Sequence, residues 1–448
     1  MNNGSRVADV ALPVVDARAW SARQAEALYQ MDAWGDDYFF VTEAGHVAVD
    51  PSREKTSGID LFAVVRHLRD EGVQPPMLLR FQDVLHGRVK QLNEAFAQAI
   101  DEFGYANGYT AVYPIKVNQL HEVVEEVLDA GAPYGLGLEC GSKAELVAAL
   151  GHLDADDRLL VCNGYKDAEM LRLILRGQEL GKRVIPVVEE YAEFEELLRL
   201  GKETGVKPRL GVRINLSAAG VGKWAASSGD ASKFGVEIAD LLRMLRRLEA
   251  EGWTDRLDLL HFHQGSQVAD IQALRRAVRE ITQVYVRLRK RGVPVSMLDV
   301  GGGLGVNYEP SYRGAEQSVN YTMQEYANSI VGVVHEVCTR ENVPVPRLIS
   351  ESGRAITAHH AVLVVEAIGA HRRGSAASSF APEADDHPIV LNLYQTLEWV
   401  RELGEATAQD ASMQHLIEAY HDALEKRREA TQLFEMGYLS IEEKARAE

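Results

Sequence analysis

The sequence predicts an α/β protein built on a closed (β/α)8 barrel, the TIM-barrel architecture. Between about residues 105 and 355, eight short apolar runs alternate with amphipathic helical patterns. Strands that are apolar throughout and alternate with helices are typical of a parallel sheet covered on both faces. Eight such units in roughly 250 residues match the size of a barrel. A doubly wound open sheet remains the alternative, because periodicity alone does not establish closure.

Each predicted strand ends in a polar residue or a glycine. In chain order the strands are YTAVYPIK, YGLGLEC, RLLVCNG, RVIPVVEE, RLGVRIN, LDLLHFHQG, VSMLDVGGG and PRLISESGR. Their ends carry Lys116, Glu139, Asn163, Glu189, Arg213, His263, Gly301 and Glu351. The active site of a barrel lies at this end of its strands, so we expect these residues around one mouth. A structural role is about as plausible for any one of them, but not for the whole set.

The barrel pattern, residues 86–370, is flanked by two regions of different character. In residues 1–85, YFFVTEAGHVAVDP predicts a hairpin that belongs to a second, β-rich domain. Residues 371–448 begin with the linker-like RRGSAASSFAPEADDHP. The runs LNLYQTLEWVREL and HLIEAYHDALEKRREATQLFEMGYLSIEEKARAE then predict a helical region, because apolar residues recur at helical spacing with charges between them.

Composition excludes several classes of protein. The net charge of -18 argues against a nucleic-acid partner or an anionic membrane surface. Cys140, Cys162 and Cys338 are widely spaced, so neither a zinc knuckle nor a disulfide framework is indicated. The sequence has no secretory signal pattern and no apolar stretch of membrane-spanning length. We therefore expect a cytoplasmic protein.

The glycine run LDVGGGLG, after the seventh predicted strand, is the sharpest local motif. Consecutive glycines let backbone N–H groups approach an anion, and barrels commonly bind phosphate after strands seven and eight. A tight turn is the alternative. The spacing does not fit a dinucleotide-binding fingerprint, and AAGVGKWA around Lys223 lacks the first glycine and the final Ser or Thr of a P-loop.

Two further motifs follow the sixth and eighth predicted strands. In ESGR, Arg354 offers a fork of donors for a phosphate, and Glu351 is placed to reach the ligand's other end; an ordinary ion pair is the alternative. In HFHQGS, the pair His261 and His263 invites a metal-hydrolase interpretation, but the earlier strands carry no matching ligand set. The pair at 359 and 360, HH, predicts the start of a helix with a structural role.

One ligand accounts for these features together: pyridoxal 5′-phosphate, which has a phosphate, an aldehyde and a pyridine ring. Lys116 would form the Schiff base, and we expect desolvation to lower its pKa. His263 would lie against the ring, and Glu351 would keep the ring nitrogen protonated. The predicted phosphate ligands are Ser266, Gly301, Gly302, Gly303 and Arg354.

The chain resembles the fold-type III pyridoxal-phosphate decarboxylases of the ornithine, diaminopimelate and arginine group. The motifs that carry the resemblance are YPIKVNQ, GLECGSKAEL, HFHQGSQ, LDVGGGLGVNY and SESGRAITAHHAVL. The sequences of these motifs are most similar to those of bacterial biosynthetic arginine decarboxylases. The resemblance implies a carboxy-lyase that converts L-arginine to agmatine and CO₂ in polyamine biosynthesis. It also implies a homo-oligomer, dimer or tetramer, that uses pyridoxal phosphate and commonly magnesium.

The resemblance assigns roles to further residues. Glu139 matches an acid beside the cofactor ring and joins Lys116 and His263 as a catalytic residue. Arg213 matches an arginine that braces the site. A segment associated with substrate comprises Leu298, Asp299, Val300, Gly301, Gly302, Gly303, Leu304, Gly305, Val306, Asn307 and Tyr308.

The resemblance also implies a β-domain after the helical region, with a Cys-Asp loop that enters the partner subunit's site. No cysteine of this sequence lies in such a motif, so we expect the C-terminal β-domain to be largely missing. Three alternatives stay open: a non-catalytic or regulatory pyridoxal-phosphate binder, a decarboxylase of ornithine, lysine or diaminopimelate, and a metal hydrolase.

Overall fold

The computed structural model describes residues 20–55, 58–153, 157–217, 234–308, 319–369, 382–405 and 413–448. The chain divides into two compact units, one up to Val365 and the other from Glu366 onward. Among the described helices, none combines the length and apolar character that a membrane span requires.

The N-terminal part of the first unit contains the predicted hairpin. Phe39 pairs with Val49 in two antiparallel strands, and Gly45 in the turn has a φ of 83° that favours glycine. The elements before the barrel are α1 Ala22–Leu28, α2 Met31–Trp34, β1 Phe39–Val41, β2 Val47–Val49, β3 Ile59–Asp60, α3 Leu61–Asp70, β4 Met77–Arg80 and α4 Gln82–Glu102. Strands β1, β2 and β3 form one small sheet.

Eight parallel strands then close into a barrel, which confirms the predicted fold class and excludes the open sheet. The strands are β5 Tyr109–Pro114, β6 Gly137–Cys140, β7 Leu160–Cys162, β8 Val184–Val188, β9 Leu210–Arg213, β10 Leu257–His261, β11 Met297–Asp299 and β12 Arg347–Ser350. Closure is made by β12 and β5, where Leu348 pairs with Tyr109 and Ser350 with Ala111.

Helices alternate with the barrel strands. They are α5 His121–Gly131, α6 Lys143–His152, α7 Ala168–Glu179, α8 Tyr191–Thr204, α9 Ile238–Glu251, α10 Ile271–Lys290, α11 Met323–Arg340 and α12 Gly353–Thr357. The buried face of α5 carries Val123, Val124, Val127 and Leu128, as its helical spacing predicts.

Apolar residues of the barrel form two layers. The outer layer packs strands against helices and includes Leu138, Leu260 and Leu298. The inner layer is a separate cluster of Val112, Leu159, Val161, Ile185, Val187, Leu259, Met297 and Ile349. Successive strand residues point to opposite faces, so both layers need apolar side chains and the strands are apolar throughout. All three cysteines are buried as free thiols.

The interpretation of His359 and His360 as the start of a helix is wrong. Helix α12 ends at Thr357, and the two histidines precede β13 Ala361–Val364, which pairs antiparallel with β4. The Phe81 N–H donates to the His360 carbonyl at 2.7 Å, so pairing with β4 takes the backbone out of helical geometry at this point.

The second unit is helical, as predicted, with α13 Pro388–Glu405, α14 Met413–Glu435 and α15 Ile441–Ala447. The last predicted run is two helices, because Gly437 adopts a φ of 79° after α14. Ser440 then begins α15 by accepting a hydrogen bond from the Glu443 N–H. A small core holds the unit together through Ile389, Val390, Ala430, Leu439 and Ala447.

Candidate active site

A cavity of about 510 Å³ lies at the carboxyl ends of the barrel strands. It brings together many of the predicted site residues: Lys116, His263, Ser266, Gly302, Gly303, Leu304, Tyr308, Glu351 and Arg354. The amine, the glycine loop and the late Glu–Arg pair therefore share one pocket, although nearly 240 residues separate the first from the last.

Lys116 lies in a short 3₁₀ turn, Ile115–Val117, that follows β5. Its Nζ donates to both carboxylate oxygens of Glu139, at 2.9 and 2.7 Å. Burial lowers the pKa of Lys116, but the charges of Glu139 and Glu351 outweigh burial and raise this pKa above its ordinary value. The expected lowering of the Lys116 pKa is therefore wrong, because the amine forms an ion pair rather than facing an apolar wall.

Glu139 is fully buried in β6, where it points into the barrel. Burial, followed by repulsion from Glu351, raises the pKa of Glu139 to about 7, even though Lys116 favours its charged form. This carboxyl group can therefore gain or lose a proton near neutral pH, beside a Lys116 amine whose raised pKa keeps it charged in that range.

Asn163 connects the two carboxyl groups. Its Nδ2 donates to Glu139 Oε1 at 3.0 Å and to Glu351 Oε1 at 2.6 Å. The sequence places Asn163 at the end of the third barrel strand, among the polar residues expected around the mouth, but gives it no role in the site. Its position in that set was the available signal.

Glu351 is buried, and its neighbours favour the carboxylate form. Burial opposes ionisation, but attraction from His261, Lys116 and His263 outweighs burial and lowers the pKa of Glu351 below its ordinary value. His261 Nε2 lies 3.4 Å from Glu351 Oε1, so this buried histidine supports the carboxylate. Asp299 completes a buried group with His261 and Glu351, and burial followed by repulsion from Glu351 raises the pKa of Asp299 well above normal.

His263 lines the cavity in its neutral form. Burial lowers its pKa to about 3, and the Glu351 charge only partly opposes this shift. The Gly265 N–H donates to His263 Nδ1 at 2.9 Å, which leaves the proton of the neutral ring on Nε2. A neutral, oriented imidazole of this kind can lie flat against an aromatic ligand.

The glycine loop after β11 packs too tightly for side chains. A Cβ on Gly302 would lie 2.9 Å from the Glu351 carbonyl oxygen and 3.2 Å from His263 Nε2. Gly301 and Gly303 have φ values of 66° and 112°, which favour glycine. The backbone of the loop is therefore accessible to a ligand, and it packs closely against the neighbouring barrel loops.

Arg354 lies beside this loop and is oriented by two hydroxyl groups. Its Nη2 donates to Ser266 Oγ and its Nη1 to Tyr308 Oη, both at 3.0 Å. The Arg354 Nε has no hydrogen-bond partner among the described atoms although it is buried. A guanidinium and a hydroxyl group next to open backbone are a suitable set of donors for a phosphate.

Other predicted residues lie outside the described lining of the cavity. Arg213 pairs with Glu189 at 3.2 Å and acts on the site through its charge, which disfavours protonation of His263. Leu298, Val300 and Val306 are buried in the barrel core, and Asn307 lines a smaller neighbouring cavity. Lys223, in the rejected P-loop motif, lies outside the described residues.

Comparisons with known proteins show the family to which this chain belongs. A family model described as the pyridoxal binding domain of pyridoxal-dependent decarboxylases matches residues 89–358, and one described as an arginine decarboxylase helical bundle domain matches residues 383–448. The biosynthetic arginine decarboxylase of Parasynechococcus marenigrum is 41% identical over 98% of this chain and 67% of its own length. The chain belongs to the biosynthetic arginine decarboxylase family. The resemblance inferred from the five sequence motifs is thereby confirmed.

Other members of the biosynthetic arginine decarboxylase family give the same result. The relative from Gloeobacter violaceus is 41% identical over 96% of this chain and 65% of its own length. The crystal structure of biosynthetic arginine decarboxylase from Campylobacter jejuni superposes with a TM-score of 0.69 and 28% identity, covering 94% of this chain and 67% of that one. The chain thus spans about two thirds of the length of the family members it matches.

The fold extends beyond this family. Diaminopimelate decarboxylase from M. jannaschii superposes with a TM-score of 0.58 at 21% identity, covering 74% of this chain and 69% of that one. This likeness concerns the fold alone.

Proposed function

We propose that this chain binds pyridoxal 5′-phosphate in the barrel cavity and decarboxylates L-arginine to agmatine and CO₂. The observation that carries the proposal is the convergence of Lys116, the glycine loop with Arg354, and Glu351 in one cavity. Arginine is the proposed substrate because the relatives that match nearly the whole chain are named biosynthetic arginine decarboxylases.

The residues present fit this cofactor. Lys116 offers an amine for the aldehyde, and its side chain is 49% exposed to the open cavity. Ser266, Arg354 and the backbone of Gly302 and Gly303 would hold the phosphate. The neutral His263 ring would lie against the pyridine ring, with Glu351 at the ring nitrogen.

When bound, the cofactor supplies an electron-withdrawing ring that accepts the electron pair left behind by CO₂. The Glu351 carboxylate holds a proton on the ring nitrogen, which strengthens this withdrawal. Glu139 would keep the Lys116 amine charged in the free chain, so this amine must lose its proton before it can act as a nucleophile. Neutral His263 contributes stacking without adding a positive charge to the site.

The cofactor is tested by titrating pyridoxal phosphate into the purified chain and into a Lys116→Ala variant. We expect a visible absorbance band in the unmodified chain that the variant lacks. Lys143→Ala is the matched control, since Lys143 is a partly exposed lysine paired with Asp167 and Glu169. An unchanged band in Lys116→Ala would contradict the assignment.

The reaction is tested with carboxyl-labelled arginine, ornithine, lysine and diaminopimelate in competition. The proposal expects CO₂ release mainly from arginine, with agmatine as product. Faster release from another amino acid would make the chain a related lyase. Cofactor binding without release from any substrate would favour a binding or regulatory role for this chain.

Three further expectations stay proposals: a homo-oligomer, which the family resemblance implies; a cytoplasmic location, which the sequence pattern predicts; and a magnesium requirement, which the family resemblance also implies. Two groups of described residues could hold a metal ion, and each contains histidine. Magnesium prefers oxygen ligands, so neither group is a suitable magnesium site. Sedimentation of the purified chain, and its activity with and without added magnesium, test the first and third expectations.

A further inference from the structure

A cluster of two histidines and a glutamate lies between α5 and α6, apart from the residues that line the active-site cavity. We call it the α5–α6 cluster: His121 and Glu125 on α5, and His152 at the end of α6. His121 Nε2 lies 3.1 Å from Glu125 Oε1, and the rings of His121 and His152 have their centroids 5.0 Å apart. One donor atom from each side chain lies within 4.8 Å of the other two.

The two helices hold the cluster on a rigid base. His121 and Glu125 are four residues apart, so they share one face of α5. The opposite face of α5 packs into the core through the buried residue Val123, and α6 packs into the core through Leu146 and Ala149. The backbone positions of the three donors are therefore set by core packing and not by the ligand.

The donors themselves are accessible. The side chains of His121 and Glu125 are 67% and 54% exposed, and His152 is half-buried. All three line a surface depression that also contains Asp129 and Arg158. The Asp129 carboxylate favours a bound cation. The Arg158 guanidinium disfavours one, but it is directed toward the Leu128 carbonyl, to which it donates at 3.3 Å.

Two imidazole nitrogens and one carboxylate oxygen are a donor set for zinc and similar transition metals. Zinc takes such ligands at about 2.0–2.2 Å in tetrahedral geometry, with water in a position that the protein leaves open. Donors in that geometry lie about 3.4 Å apart, so rotation of the exposed side chains is sufficient to close the cluster around an ion. Magnesium and calcium prefer oxygen ligands and do not suit this set.

We propose that the α5–α6 cluster is a binding site for a divalent transition-metal ion of the zinc class, with water as the fourth ligand. The ion cross-links α5 and α6, the helices that follow the strands leading to Lys116 and Glu139. His121 is only five residues beyond Lys116, so occupancy restrains the segment after the catalytic lysine. This proposal does not depend on the substrate or on cofactor binding.

The test uses the full 448-residue chain without a histidine tag, loaded with pyridoxal phosphate and stripped of metal by a chelator. Cobalt(II) is titrated as a spectroscopic probe. We expect one saturable equivalent with the visible bands of tetrahedral cobalt, displaced by zinc and not by magnesium. Zinc also raises the midpoint of thermal unfolding, since an ion that binds only the folded state stabilises it.

The variants His152→Ala and Glu125→Gln should each weaken cobalt binding at least tenfold and remove the zinc-dependent rise in the unfolding midpoint. The matched control is His86→Ala. His86 forms a comparable pair with Glu126, at 2.7 Å, and is not part of the cluster. It should leave both readouts unchanged.

Absence of saturable cobalt binding to the unmodified chain would overturn the proposal. Equal binding by His152→Ala would also overturn it, since the ion would then be held elsewhere. Circular dichroism of each variant confirms that a loss of binding is not a loss of fold.

Discussion

At the scale of single residues, the cavity is organised around two buried carboxyl groups with opposite behaviour. Glu351 is surrounded by cationic and imidazole groups, which lower its pKa, whereas burial beside that charge raises the pKa of Glu139 to about 7. Lys116 lies next to the carboxyl group that titrates. Pairs of acids whose pKa values are driven apart are typical of sites that hold and transfer protons.

Replacing Glu139 with glutamine should make Lys116 more reactive toward amine-selective reagents. Glu139 stabilises the charged ammonium, so its loss lowers the pKa of Lys116 and shifts the labelling curve to lower pH. Each unit of that shift raises the fraction of neutral amine about tenfold at mildly alkaline pH. Labelling rates of Lys116, followed by mass spectrometry across pH in the cofactor-free chain, check this expectation. Lys143 serves as the internal control, and an unchanged pH profile for Lys116 would contradict it.

Removing the Asn163 amide should destabilise the fold, because two buried carboxyl groups lose a shared donor. We expect Asn163→Ala to cost about 1–3 kcal/mol in the free energy of unfolding, and Asn163→Asp to cost more because it adds a third acid. Urea unfolding measures both. Asn328→Ala is the control: its amide accepts from Gln324 at 2.7 Å and donates to exposed Glu102 at 3.4 Å. Its loss leaves no buried carboxyl group without a donor and should cost less than about 1 kcal/mol. Equal losses for Asn163→Ala and Asn328→Ala would contradict the bridging role.

At the scale of elements, the glycines of the loop after β11 both border the cavity and allow close packing. The backbone of this loop lines the cavity, and a Cβ on any of the three glycines would meet the backbone of the loops after β10 and β12 at less than 3 Å. A loop so closely packed does not need to be ordered by its ligand, and a preorganised site binds more tightly for that reason.

A methyl group at position 302 should disturb this loop. In Gly302→Ala the new Cβ would meet the Glu351 carbonyl oxygen at 2.9 Å, and that atom is backbone that cannot swing away. We expect pyridoxal phosphate to bind at least tenfold more weakly, and the free energy of unfolding to fall by about 1–3 kcal/mol. Absorbance titration and urea unfolding measure the two effects.

Gly151→Ala is the matched control for this substitution. A Cβ at Gly151 meets no heavy atom within 4 Å, so cofactor binding and stability should stay close to those of the unmodified chain. Similar behaviour of the two variants would show that the packing of Gly302 is unimportant.

At the scale of the whole molecule, barrel closure is the feature on which the site depends. Lys116 follows β5, Glu139 lies on β6 and Glu351 follows β12. The three side chains meet because β5 pairs with β6 on one side and with β12 on the other. In an open sheet β5 and β12 would not pair in this way, and Lys116 and Glu351 would not face one cavity. The inner apolar layer fills the space beneath them.

Shortening a residue of that inner layer should destabilise the barrel. Leu259 is fully buried, and a Cβ added to Gly211 would come within 2.8 Å of its Cδ2, so Leu259 fills the space above that glycine. We expect Leu259→Ala to cost about 2–5 kcal/mol, since a closed barrel cannot collapse freely around the cavity. Urea unfolding followed by circular dichroism measures the loss. Leu78→Ala, at a side chain 52% exposed on β4, should cost far less, and an equal cost would refute the argument.

The sequence by itself determined the eight alternating strand and helix units, the family and half of the residues that line the cavity. Each of these rests on local information: an apolar run with helical spacing after it, a glycine triplet, or a short motif such as ESGR. Local patterns survive in sequence because the backbone and side chains that create them are neighbours along the chain.

Only the tertiary structure decided the electrostatics of the site. The raised pKa of Lys116, the Asn163 bridge and the support of Glu351 by His261 depend on distances between residues that lie on different strands. The position of His360 before a strand depends in the same way on pairing with β4. Charge interactions and strand pairing act through space, and their strength depends on interatomic distances that the spacing of residues along the sequence does not specify.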